Sequence, residues 1–137
     1  MKKIILVFIL GSLLSCDIGS DDDSLNFSRE IVPIDSVDIP SEFIFGETVE
    51  VTVNYTRPND CYQFSSFIFQ PDGNTRTVAV VDDVFFNENC SQNTVDASVS
   101  FDFFVTSEET YVFQFFQGTS SNGEDQFLII EVPVVVQ

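Results

Sequence analysis

The sequence predicts an all-β protein in which two antiparallel sheets pack as a sandwich. Two observations lead there. First, two long stretches alternate apolar and polar residues at a period of two. Val49, Val51, Val53 and Tyr55 share one face, with Glu50, Thr52, Asn54 and Thr56 on the other. Val95, Ala97, Val99, Phe101, Phe103 and Val105 alternate in the same way with Asp96, Ser98, Ser100 and Asp102. That pattern belongs to half-buried strands. Second, 16 phenylalanines and many valines favour strands, and short turn signals punctuate the chain at strand-length intervals.

Residues 31–39 read as an extended edge strand, since Pro33 cannot donate to a ladder and Pro40 follows. Residues 47–56 are the first alternating strand. Residues 62–70 form a strand that ends at Pro71-Asp72-Gly73-Asn74, a strong turn. Residues 75–86 are then its hairpin partner. Residues 87–94 read as a polar loop holding Cys90, and residues 95–105 as the second alternating strand. A final hairpin joins residues 111–117 to 127–136, with Asn122-Gly123 at its tip. About seven strands at this spacing argue an immunoglobulin-like sandwich. The alternative is a jelly roll or small barrel. Thr106-Ser107-Glu108-Glu109-Thr110-Tyr111 resembles the turn and tyrosine that open the sixth strand of such sandwiches, the tyrosine corner.

The start of the chain supplies an address. Met1-Lys2-Lys3 is basic, and residues 4–14 are apolar apart from Gly11 and Ser12. That run is too short to span a bilayer and has signal-peptide flanks. Leu13-Leu14-Ser15-Cys16 resembles a bacterial lipobox, which implies cleavage before Cys16 and lipidation of its sulfur. Ser20, Asp21, Asp22 and Asp23 resemble the acidic export signal of Bacteroidota surface lipoproteins. The resemblance implies an outer-membrane protein, lipid-anchored and facing outward; periplasmic facing is the alternative. The expected organisation is a signal peptide over 1–15, a lipidated acidic tether over 16–28 and a β-sandwich domain over 29–137. Asp23-Ser24-Leu25 and Asp35-Ser36-Val37 resemble the acceptor pattern of Bacteroidota O-glycosylation, which makes Ser24 and Ser36 candidate sugar sites.

Composition narrows the chemistry. The formal charge is −17, and the two lysines lie in the leader. Beyond it, Arg29, Arg57 and Arg76 face 22 carboxylates. Nucleic-acid binding relies on Lys and Arg at phosphates, so none is expected. The chain has no histidine. That removes the commonest general base and metal ligand, and any Ser-His-Asp or Cys-His system within the chain. Tryptophan is also absent, which weakens a sugar-platform reading. The acidic groups at Asp82-Asp83, Asn87-Glu88-Asn89 and Asn122-Gly123-Glu124-Asp125 match no calcium-loop spacing and suit turns and solvation. No cofactor is expected.

With Cys16 lipidated, Cys61 and Cys90 remain. In an oxidising compartment they should form one disulfide, a staple between a strand end and a loop. Phe85-Phe86, Phe103-Phe104 and Phe115-Phe116 each place neighbours on opposite sheet faces. Some rings must therefore point outward, and Phe104 and Phe116 are the candidate binding surface. The functional expectation is a non-catalytic binding or accessory module with a protein partner or surface ligand. A carbohydrate-handling or hydrolytic lipoprotein is the alternative. Leader, acidic signal and β-rich body together resemble short flavobacterial-type lipoproteins.

Overall fold

A computed structural model describes residues 26–86 and 89–137. Ten strands follow in chain order. They are β1 (Phe27–Val32), β2 (Ile34–Asp38), β3 (Phe43–Ile44), β4 (Thr48–Arg57), β5 (Tyr62–Asp72), β6 (Thr75–Phe85), β7 (Val95–Phe104), β8 (Tyr111–Thr119), β9 (Asp125–Val132) and β10 (Val134–Val135). They form a β-sandwich. One sheet holds five strands, β5, β6, β1, β8 and β9; the facing sheet holds β2, β4 and β7; β3 and β10 make a short parallel pair.

The sandwich class, the β5–β6 hairpin and the β8–β9 hairpin agree with the sequence expectation. Three details differ, each for a physical reason. Residues 31–39 are not one edge strand. Pro33 lacks an N–H and ends β1, so the chain leaves the five-stranded sheet there and β2 joins β4 in the other. Pro133 does the same between β9 and β10, whose register sets Val134 against Phe43. The first strand also starts before residue 29: Phe27 already pairs with Phe85, their rings 5.6 Å apart.

The order of the large sheet is the third. An immunoglobulin sandwich sets its C strand beside F. Here the second strand of the hairpin takes that position. β6 lies parallel to β8 over Thr75–Val78 and Val112–Phe115, and β1 fills the rest of the same edge of β6. Composition explains the choice. β6 carries Val78-Ala79-Val80-Val81 and is buried on both faces, as central strands are. β5 carries Gln63, Ser65, Ser66, Gln70 and Pro71, which suit an edge. The turn between them closes on Gly73 at φ +57°, with Asp72 paired to Thr75. A glycine at the first central position is what a type II′ hairpin turn needs.

Inward residues of both sheets form the core, with Phe43, Val51, Val53, Val80, Phe113 and Phe115 fully enclosed. Tyr111 is among them and forms a tyrosine corner. Its hydroxyl accepts the backbone N–H of Ser107 at 2.9 Å and of Thr106 at 3.2 Å. Burial pushes the phenol pKa up, but the hydrogen bonds from Thr106 and Ser107 outweigh it and hold the group below the ordinary tyrosine value. Tyr111→Phe strands those two N–H groups and is expected to cost about 1–3 kcal/mol. Urea unfolding checks this; a loss under about 0.5 kcal/mol would mean that water replaces the phenol there.

Candidate functional site

Three regions could carry a function: a polar network at one end of the sandwich, a groove beside it, and the outer faces of the two sheets.

The network is built on Asp82. Along β6, Val78, Val80, Asp82 and Val84 share the inward parity, so the strand pleat drives a carboxylate into the core. Asp82 has 0% exposure. Its Oδ1 accepts the Tyr55 hydroxyl of the facing sheet at 2.9 Å, and its Oδ2 lies 3.3 Å from Nε of Arg57 without a hydrogen bond. Arg57 also donates through Nη2 to the Tyr55 oxygen at 3.0 Å, and its guanidinium lies 5.4 Å from the centre of that ring. Burial raises the Asp82 pKa above the ordinary carboxylate value, against the opposing pull of Tyr55 and Arg57. Burial, reinforced by Asp82, pushes Tyr55 up to about 12, so its phenol stays a donor. Tyr62 donates to Glu30 at 2.7 Å close by, and burial with that bond lifts it to about 12 as well. A fully enclosed carboxylate cannot reach a substrate. This network joins the two sheets, and catalysis is not its geometry.

The groove is open to solvent, about 510 Å³ in volume, and lined by Asp60, Cys61, Tyr62, Gln63, Phe85 and Asn89. Cys61, one of the lining residues, is bonded to Cys90, with Cα atoms 5.5 Å apart. The bond ties the start of β5 to the β6–β7 loop, as the cysteine count implied. Asp60 accepts the Ser91 N–H at 2.8 Å and pins the same loop. Among the described residues, Asp60, Cys61 and Cys90 form a group compact enough to hold a metal ion, but both sulfurs are used in the disulfide. One carboxylate, engaged with the backbone, does not make the acid and base pair of a glycoside hydrolase.

The outer faces are unlike each other. On the three-stranded sheet the outward side chains are polar and acidic. Thr52 shares a hydrogen bond with Ser100 at 2.8 Å, and Asn54 links Asp38 at 3.0 Å and Ser98 at 2.6 Å. Glu50, Asp96 and Asp102 complete it. The five-stranded sheet is more apolar, although Gln63, Gln70, Thr77 and Gln114 also face outward there, with Thr77 donating to Gln114 at 3.4 Å. Its outward positions include Ile31 on β1, Ile68 on β5, Val81 on β6, Phe116 on β8, and Phe127 and Ile129 on β9. Ile31 pairs with Val81, and Phe116 pairs with Phe127, their rings 6.0 Å apart. Ile31 is 50% exposed and Ile129 59%. The charges there are few: Arg29, held by Asp83 at 3.2 Å, and Glu131 near one end.

The structure therefore separates the two aromatic residues expected to form one surface. Phe104 is 56% exposed on β7, on the acidic face beside Thr48 of β4. Phe116 lies on the opposite outer face, half-buried against Phe127. Pleat parity makes the split, since the two strands belong to different sheets. The residues that accompany Phe116, namely Ile31, Phe127 and Ile129, were missed. Their signal was present in the outward parity of β9, but which face stays bare depends on strand order. Ser36 is exposed on edge strand β2, where its hydroxyl accepts from Asn54 at 3.3 Å. Asp82 and Asp83, taken together as an acidic cluster, point to opposite faces of β6. Cys16, Ser20, Asp21, Asp22, Asp23 and Ser24 lie outside the described residues, as do Asn87 and Glu88.

No family model matches this chain, and no curated protein or solved structure matches it.

Proposed function

We propose that this chain is a non-catalytic binding or accessory module, lipid-anchored at Cys16 to a bacterial outer membrane and displayed at the cell surface. The leader, the lipobox resemblance and the acidic segment support the anchor and the address. The observation that carries the binding role is the bare apolar face of the five-stranded sheet. A chain with 22 carboxylates keeps that face nearly free of them. Solvation alone gives no reason to leave Ile31, Phe127 and Ile129 uncovered. All three arginines are engaged within the fold, with Asp83, with Asp82 and with the carbonyls of Gly73 and Thr75.

Anchoring and display are tested together in cells making the full chain. Labelled palmitate is expected to enter the protein and to be lost in Cys16→Ala. External protease is expected to remove the protein from intact cells. Survival until lysis would place it in the periplasm and point to a partner within the envelope. Palmitate labelling that persists in Cys16→Ala would overturn the anchor.

A further inference from the structure

We propose that the free edge of β7 is a strand-addition site for an extended segment of another protein in which apolar residues alternate with Lys or Arg. This surface is separate from the bare face of the five-stranded sheet and does not depend on the reading given to that face.

The edge is built for a strand. Among the described residues, β7 pairs with β4 alone, in an unbroken register from Val95 to Phe104. The Val105 N–H donates to the Glu47 carbonyl of the same pair of chain segments. Antiparallel pairing alternates, so the odd positions of β7 turn their backbone groups to β4. Asp96, Ser98, Ser100, Asp102 and Phe104 then aim N–H and C=O away from the sheet. The other long edge strand on this side, β5, is blunted by a bulge between Phe64 and Ser66 and by Pro71. β7 has neither device.

Beside that edge the sandwich is open. Phe101 of β7 touches Phe67 and Phe69 of β5, with ring centres 5.1 and 5.7 Å apart, and Phe67 touches Phe64 at 5.0 Å. Phe69 is 40% exposed although it packs against Phe101. Val95, Ala97, Val99 and Phe101 are only half-buried, whereas Val51 and Val53 of the neighbouring strand are fully enclosed. Inward side chains of an added strand would reach this row of rings.

Charge names the occupant. On the outer face Glu50 stands directly opposite Asp102, in a pair that is not hydrogen-bonded, where side chains come closest. Like charges so placed are destabilising, and this face carries no Lys or Arg among the described residues. A strand laid along β7 sets its own outward residues beside Asp96 and Asp102, so Lys or Arg there relieves the repulsion. The same carboxylates oppose a second copy. Two β7 edges paired antiparallel about Val99 would set carboxylate against carboxylate at both ends. The acidic segment at 20–23 is unsuited for the same reason.

The test is peptide binding to the full chain in detergent micelles, read by fluorescence anisotropy and by amide hydrogen exchange. The probe is a capped ten-residue peptide of alternating valine and lysine. The expected dissociation constant is on the order of 100 µM at low salt. The bound peptide should slow exchange at the Ser98, Ser100 and Asp102 amides about tenfold or more and leave the β9 amides unchanged. A peptide of the same composition with its alternation broken should bind at least about fivefold more weakly, since it cannot place lysines and valines on separate faces. Ser100→Pro removes one outward N–H and is expected to weaken binding about fivefold to tenfold, while Ser100→Ala, which loses only the bond to Thr52, has little effect. Circular dichroism checks that the proline variant folds. Asp102→Lys, a surface change, should weaken binding by a similar factor whether or not it does. Ile129→Asn, on the other sheet, should change nothing. Equal binding of the two peptides, or binding without protection of the β7 amides, overturns the proposal as mere attraction to an acidic protein. Sensitivity to Ile129→Asn instead of Ser100→Pro or Asp102→Lys overturns it in favour of the bare face. Protection of the β7 amides that rises with concentration of the chain alone overturns it in favour of a second copy.

Discussion

Arg57→Met is expected to destabilise the protein by about 3–5 kcal/mol near neutral pH, the cost of leaving a buried charge without its partner. Asp82 is fully enclosed, and Arg57 lies against its Oδ2, which no hydrogen bond satisfies. The substitution keeps the apolar stem and removes only the guanidinium. Tyr55 still donates to Oδ1 but supplies no charge. The effect has a defined pH dependence. Burial raises the Asp82 pKa in the folded state, so the folded form holds this proton more tightly than the unfolded form. Whatever stability the group contributes is therefore greatest below the ordinary carboxylate value near 3.8 and falls as pH rises toward the raised folded value. A neutral acid needs no cation, so the cost of Arg57→Met should shrink as the pH is lowered into that interval. Arg57→Met combined with Asp82→Leu removes both charges and should recover most of the loss. Urea unfolding at neutral and acidic pH measures all of this. A loss that is equal at both pH values would show that Arg57 acts through packing alone.

Cys61→Ser with Cys90→Ser is expected to cost about 3–4 kcal/mol, because the bond closes a loop across a separation of 29 residues in the unfolded chain. For a domain of this size that corresponds to a fall in Tm of roughly 12–30 °C. The hydrogen bond from the Ser91 N–H to Asp60 remains and holds the β6–β7 loop near its place, so the folded structure should survive. The measurement is thermal unfolding of the native protein with and without reductant, beside the double variant. The reduced native protein and the variant should agree. A loss below about 1 kcal/mol would mean that the unfolded chain is already compact across this loop.

Several elements were legible from residues alone. The alternation of β4 and β7 gave both strands and their buried faces, and that burial is seen at Val51, Val53 and Phe103. Asp72-Gly73 gave the β5–β6 turn, because a left-handed backbone position there calls for glycine. Tyr111 after its acidic turn gave the tyrosine corner, and two cysteines left over gave one disulfide. Other features were not legible. By sequence Pro33 marks an edge strand and Pro133 falls inside a strand, whereas in the fold each moves the chain to another pairing partner. Asp82 looked like a solvated acid beside Asp83. Its parity with Val78, Val80 and Val84 was the signal that it faces inward.

The division has one physical cause. Period, turn chemistry and cysteine count are local, so the sequence by itself determined a β-sandwich with its hairpins, its staple and an acidic, histidine-free chemistry. Strand order is set by competition between distant segments for the centre of a sheet. β6 won that place over β5 because Val78-Ala79-Val80-Val81 can be buried on both faces. Only the tertiary structure could then decide that Phe104 and Phe116 stand on opposite sides. The same order pairs Asp82 with Arg57 across the core and leaves Ile31, Phe127 and Ile129 on a bare, nearly uncharged face.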